Sequence, residues 1–257
     1  YRKMAVSQMP TKSPLIDCDD ARLDMAVTAS ILSALKTTGQ RCVSAGRVLV
    51  HEKVFVEFSR RFTEIARRVR FGDPFSSGSF AGPLINEAAV EKVLGYNDLA
   101  RKEAGKVLLD GKRLDTGEWA GGYFVAPFVY EIQHAPGIRC IREEVFGPHV
   151  ALIPFRSIDH AIEIYNDTEY GLSMSVITED YRKVRAIREG CEFGLGYVNL
   201  PCIGAEVQLP FGGVKKSGTG HPSASALVDA VTHKYAWTVN YGEKLQMAQG
   251  LSAEVGS

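Results

Sequence analysis

From residue 13 to residue 200 the chain repeats one rhythm: a short apolar run, an amphipathic segment, then another apolar run. Strands that alternate with helices are carried back across a sheet by each helix, which leaves them parallel. The rhythm therefore predicts an α/β fold, a largely parallel sheet flanked by helices. SPLIDCDD (13–20) reads as a strand and turn, with Asp19 or Asp20 placed to cap the next helix. ARLDMAVTASILSALKTT then puts Leu23, Ala26, Val27, Ile31, Ala34 and Leu35 on one helical face, with Gly39 as its stop. VLV at 48–50 is a strand, and 54–71 a helix with Phe58, Phe62, Ile65 and Val69 inward and arginines outward. FGDPFSSGSFAGP is a loop; NEAAVEKVLGYNDLARKEAG is a helix ending at Gly105. Strands follow at VLLDG (107–111), in the extended run after the Gly-rich turn of GEWAGGYFVAPFVYEI, and at HVALIPF (149–155). SIDHAIEIYND is a helix with a Ser N-cap, LSMSVIT a strand, YRKVRAIREGC a helix and LGYVNL a strand.

Beyond residue 200 the pattern changes. QLPFGGVKKSGTGHPSA is Gly-rich, a short helix follows at 224–231, and HKYAWTVNYG alternates as a strand does. A terminal strand with little chain after it is suited to pairing with an edge on another subunit. The expected division is one domain over 1–230 and a C-terminal β oligomerisation strand and tail over 231–257, giving a homo-oligomer.

Hydrophobic residues make up 45% of the 257, enough for a proper core, and thirty basic residues balance thirty acidic ones. That balance gives no electrostatic support for nucleic acid or a membrane surface as partner. No apolar run approaches the roughly 20 residues of a membrane span, and YRKMAVSQMP lacks the apolar core of a secretory signal. Five cysteines (18, 42, 140, 191, 202) form no CxxC pair. This argues against a disulfide framework or a metal site and for a reducing, cytoplasmic setting.

The stretch TTGQRCVSAGR (37–47) carries the chemical question. A Gly-Gln turn between helix and strand lets backbone approach closely and presents N–H groups, which can hold an oxyanion once a carbonyl is attacked. Arg41 adds a positive charge beside Cys42. On these residues alone Cys42 is either a small buried apolar residue or a nucleophile. SGTGHPS contains G-x-G but follows no strand and lacks the third glycine, so it reads as a loop over the substrate side, not a phosphate cradle.

An ordered set of motifs resembles the C-terminal, catalytic half of the NAD(P)-dependent aldehyde dehydrogenase superfamily. GQRC (39–42) is similar to its nucleophile motif, GDP (72–74) and AGPLIN (81–86) to its linking segments, and REEVFGP (142–148) to its EExFGP motif. NDTEYGLSMSVIT (166–178), YVN (197–199) and LPFGGVKKSGTG (209–220) match later blocks, so the resemblance covers nearly the whole chain. It implies oxidation of an aldehyde to the acid with NAD or NADP. Cys42 would form a thiohemiacetal and then a thioester, its own N–H supplying part of the oxyanion hole. Glu144 would meet the nicotinamide ribose and Phe146 pack near the nicotinamide. Arg41 is either paired with a local acid or grips the distal carboxylate of a semialdehyde, as in the semialdehyde branch that NLPCIGAEVQLPFGG also resembles. Gly204, Ala205 and Phe211 would complete the substrate side.

Two departures stand out. The family's cofactor domain lies upstream of the matched region, so an N-terminal half, in cis or in trans, is expected to supply most cofactor contacts. The family's general-base glutamate, in E-L-G-G-K, aligns with Gln8 of Q-M-P-T-K (8–12). Glutamine cannot take a proton from water. Either the motif is degenerate or residues 1–10 are a foreign junction. The alternative to an oxidising enzyme is a catalytically dead relative kept for oligomerisation or binding.

Overall fold

The computed structural model describes residues 5–103 and 105–244. The expectations for the first four residues and for the tail from 245 lie outside them. Seven strands form the central sheet: β1 (Ser13–Asp17), β2 (Ala45–His51), β3 (Lys106–Leu109), β4 (Phe128–Glu131), β5 (His149–Phe155), β6 (Ser173–Ile177) and β7 (Leu195–Val198). Their spatial order is β7-β6-β1-β2-β5-β4-β3. All neighbours are parallel except the edge pair β4–β3. The parallel sheet read from the alternation is therefore present.

Both faces of this sheet are buried, as parallel strands require. Leu15, Val48, Val50, Val150 and Leu152 face α1 (Leu23–Leu35) and α2 (Glu52–Arg68), packing on Ala26, Leu35, Phe58 and Phe62. The alternate residues Ile16, Leu49, Ala151 and Ile153 meet α4 (Ile158–Asn166) and α5 (Tyr181–Gly190) through Ala161, Ile164 and Ile187. Helix α3 (Glu87–Lys102) adds Ala100 to the second layer. Ser157 caps α4 by accepting the His160 N–H, as read from the sequence. No helix among the described residues is long and apolar enough to cross a membrane.

Two local expectations are corrected. Helix α1 has no side-chain cap. Asp20 instead accepts the Thr178 hydroxyl and the N–H groups of Glu179 and Asp180, tying β1 to the start of α5. Ile65 is 41% exposed, whereas Val69, just beyond the end of α2, packs against the core as expected. The buried stripe of α2 runs through Phe55, Phe58, Phe62 and Ala66, and Ile65 is turned about 100° from Ala66. After α6 (Leu227–Val231) the described residues 232–244 carry no strand pairing within this chain, and Tyr235, Trp237 and Tyr241 stand exposed.

One buried cation holds the site end of the sheet together. Arg47 on β2 is 1% exposed, and its guanidinium donates to the carbonyls of Ile164 (2.8 Å), Lys12 (3.0 Å) and Tyr165 (3.2 Å). It joins the approach to β1 with the end of α4. Arg47→Met orphans these carbonyls and is expected to lower unfolding free energy by about 3–5 kcal/mol in urea titration. A loss under about 1 kcal/mol would contradict this anchoring role.

Candidate active site

Of the residues singled out by sequence, Cys42, Glu144 and Phe146 lie at the amino ends of the parallel strands, while Gly204 and Ala205 follow the carboxyl end of β7. Cys42 precedes β2, Thr11 and Lys12 precede β1, and Glu144–Gly147 precede β5. Helix α1 ends at Leu35, and a tight turn over Lys36–Gly39 follows in which Thr37, Thr38 and Gly39 all have left-handed φ (58°, 58° and 68°). That conformation costs a non-glycine residue about 1–2 kcal/mol, so it persists only where its surroundings impose it. The 80–85 loop does so. Lys36 Nζ donates to Phe80 O (2.9 Å), and the Thr38 hydroxyl to Gly82 O (2.6 Å). The Gln40 amide bonds both ways, donating to Pro83 O (3.1 Å) and accepting the Ile85 N–H (3.0 Å). The GQ and AGPLIN motifs are thus one clamp.

Cys42 is half-buried on the next turn, closed by Ser44 N–H to Arg41 O (2.9 Å). Its sulfur faces the Gln8 side-chain amide and the N–H groups of Cys42 and Val43. Among the described residues neither of these N–H groups donates to another protein oxygen. Below the turn, Val43 O accepts the Cys202 thiol (3.1 Å) and the Ser173 hydroxyl (3.4 Å). Ser173 also bonds Ser13 (2.9 Å), which meets Thr11 Oγ1 (3.1 Å), while the Thr11 N–H donates to Glu144 Oε1 (2.9 Å). A buried chain of hydroxyls therefore connects the Cys42 turn to Glu144. Nothing in the local sequence announced it, because Ser173 and Ser13 are 160 residues apart.

Electrostatics correct one expectation. Burial pushes the Cys42 thiol above its ordinary value and the Glu144 charge adds to this; the Gln8 amide and the two N–H groups oppose it. Arg41 is not what favours the thiolate: its guanidinium turns back to Thr37 Oγ1 (2.9 Å). It pairs with no acid among the described residues. Glu144 is raised by burial, opposed by the Thr11 N–H, Lys92 and Lys12. Lys12 is 3% exposed, donates to Cys140 O (3.0 Å), and is lowered to about 7 by burial and then by Arg47.

Thr11, Lys12, Arg41, Ser44, Glu144 and Phe146 line a small, partly open recess. Phe146 is 39% exposed and held at φ 62°, a strained backbone for an aromatic residue. Phe211 is buried against Val43 and Leu172, with Cys42 packed on the same cluster, so it supports the nucleophile turn from beneath. Gly204 and Ala205 are exposed on a loop fixed by the Tyr197 hydroxyl, which donates to Gly204 O.

An aldehyde dehydrogenase family profile matches residues 2–236. The chain belongs to the aldehyde dehydrogenase family. Alpha-ketoglutaric semialdehyde dehydrogenase of Bacillus subtilis (strain 168) is 32% identical over 212 residues, 82% of this chain and 43% of that protein. Betaine aldehyde dehydrogenase of Staphylococcus aureus, solved in complex with NAD+, superposes with a TM-score of 0.84 at 27% identity, covering 93% of this chain and 48% of that one. An NAD-dependent aldehyde dehydrogenase from Sinorhizobium meliloti gives a TM-score of 0.82 at 33% identity over 88% of this chain and 44% of its own. The chain spans about half the length of the relatives it matches.

Two titrations check this site. Iodoacetamide labelling of Cys42, read by mass spectrometry, should show a midpoint above about 8.5, the free-thiol value. Glu144→Gln should move it down and Gln8→Ala up; the opposite signs would contradict the assigned neighbours. For Lys12 the folded value lies below the unfolded one, so the unfolded chain binds more protons above pH 7 and stability rises with pH. Lys12→Met should remove up to about 1.4 kcal/mol per pH unit of that rise between pH 7 and 8.5. An unchanged slope in denaturant titrations would contradict a buried Lys12 amine.

Proposed function

We propose that this chain is the catalytic part of a larger enzyme that oxidises an aldehyde, most readily a semialdehyde, to the acid with NAD or NADP. The observation that carries this reading is Cys42 on a clamped turn, its sulfur facing two N–H groups that have no other oxygen to bond. The Cys42 thiolate attacks the carbonyl carbon, and the new oxyanion takes the N–H groups of Cys42 and Val43. Bound nicotinamide would accept the hydride that leaves the thiohemiacetal carbon. Residues at the site suit that group: Glu144 keeps one carboxylate oxygen free for a ribose hydroxyl, and Phe146 offers an exposed ring. Residues beyond those described, in cis or in trans, would supply the phosphate and adenine contacts. The acyl group is left as a thioester on Cys42. Its hydrolysis asks for a base, and position 8 offers an amide.

The relative named for a semialdehyde and the unpaired Arg41 beside the recess support a substrate with a distal carboxylate, gripped by the guanidinium fork. Gly204 and Ala205 would meet the same end, with Phe211 backing the pocket. The exposed segment after α6, with Tyr235, Trp237 and Tyr241, is suited to pairing with a second copy, and all five free cysteines suit a reducing, cytoplasmic setting. Gln8 beside Cys42 favours a second reading, a dead relative retained for that assembly.

NAD(P) reduction assayed with an added N-terminal half separates the two readings. Activity that appears with the added half and vanishes in Cys42→Ser supports the enzyme; none under any aldehyde supports the second. With activity in hand, Arg41→Leu should raise KM at least about tenfold for a carboxylate-bearing semialdehyde and under threefold for a simple aldehyde. Equal effects on both would remove Arg41 from substrate recognition.

A further inference from the structure

We infer that Cys202 is a positioning residue: its buried thiol, bonded to Val43 O, strengthens the turn that aims the Cys42 N–H at the reacting oxygen. This rests on the nucleophile reading above and adds to it a residue that touches neither substrate nor cofactor. The bonds run in series. Cys202 Sγ donates to Val43 O (3.1 Å), in the peptide whose nitrogen belongs to Ser44. Ser44 N–H donates to Arg41 O (2.9 Å), in the peptide whose nitrogen belongs to Cys42. The Cys42 N–H faces the sulfur and donates to no other protein oxygen among the described residues. Hydrogen bonds in such a chain polarise one another, by about 10–30% per bond. A donor at Val43 O therefore makes the Cys42 N–H a better partner for an oxyanion, two peptides away.

Cys202 is the steadiest donor that Val43 O has. Among the described residues no backbone N–H donates to this carbonyl. Ser173 reaches it at 3.4 Å but has one proton, and Ser13 Oγ lies nearer at 2.9 Å. Cys202 is fully buried, and burial pushes its thiol up to about 11, so it keeps its proton at neutral pH. Its place is set from a third element, since Cys202 N–H donates to Ser33 Oγ on α1 (3.0 Å). The loop that carries Gly204 and Ala205 is thereby fixed to the Cys42 turn. An apolar residue of the same size would fill the space and leave Val43 O with a shared hydroxyl alone.

Two reagents for the Cys42 sulfur separate this role from plain packing. With p-nitrophenyl acetate the thiolate adds to the carbonyl carbon, an oxyanion forms, and p-nitrophenolate leaves as the carbon–oxygen bond breaks. Iodoacetamide loses iodide from a saturated carbon and forms no oxyanion. Both rates are measured against pH on the chain as it stands, with the modified residue located by mass spectrometry, and compared as rate constants of the thiolate. Cys202→Ala should slow acylation at least about threefold and change alkylation less than about 1.5-fold. Ser173→Ala should act in the same direction by less. Cys202→Ser, which restores a donor, should recover most of the wild-type acylation rate, and Cys202→Val should not. The inference is overturned if acylation and alkylation fall together, the mark of a displaced sulfur. It is equally overturned if acylation is unchanged in Cys202→Ala, or if Cys202→Ser loses as much as Cys202→Ala. Ser173→Ala and Cys202→Ser carry the same comparison where Cys202→Ala does not fold. No modification of Cys42 by either reagent would overturn the nucleophile reading itself, a result distinct from a changed ratio of the two rates.

Discussion

The site depends on one backbone-to-backbone approach. A side chain at Gly39 would place its first carbon 2.4 Å from Gly147 O, and one at Gly147 would meet Val93 at 2.3 Å. Gly39 lets the GQRC turn and the EVFGP loop touch, and Gly147 lets that loop pack against Val93 of α3. Gly39 is also left-handed, so any other residue there is strained twice over. Because the loops touch, Cys42 and Glu144 act on each other electrostatically although they are 102 positions apart. Arg47, the Gln40 clamp and the hydroxyl chain through Ser13 and Ser173 all secure segments that meet around this contact.

The placement of the nucleophile explains its electrostatics. Ligands in open α/β sheets commonly sit beyond the carboxyl ends of the strands, where helix amino ends can favour an anion. Here the groups gather at the amino ends, and α1 brings its carboxyl end towards the turn. Among the described residues, the groups that favour the Cys42 thiolate do not include a helix amino end. What favours the thiolate is local: two backbone N–H groups and the amide of Gln8, set against burial and the charge of Glu144. Donors of this kind are worth most when negative charge develops, so the turn is better suited to holding a tetrahedral oxyanion than to keeping a resting thiolate.

Much of the fold was legible because parallel strands are apolar throughout and their helices are amphipathic. HVALIPF coincides with β5 residue for residue, and Ser157 caps α4 as its side chain allows. Ile65 shows the limit of periodicity, since the edge of an apolar stripe depends on how a helix is rolled against its sheet. The 232–241 segment alternates like a strand but pairs with no edge among the described residues. Cys42, Glu144 and Gln8 were found through motif order, and the structure brings them together. Phe211, read as part of the substrate side, packs beneath the Cys42 turn. The Thr11–Ser13–Ser173 chain escaped notice because isolated hydroxyls carry no pattern until the fold aligns them.

The central claim is that Cys42 bonds covalently to an aldehyde carbon at a turn built to receive the resulting oxygen. Carbon-13 NMR with an aldehyde labelled at its carbonyl carbon tests this without a cofactor. The account predicts a new resonance of a tetrahedral carbon bonded to both sulfur and oxygen, present with the wild-type chain and absent with Cys42→Ser. Only free aldehyde and its hydrate with the wild-type chain, or an adduct that survives in Cys42→Ser, would contradict it.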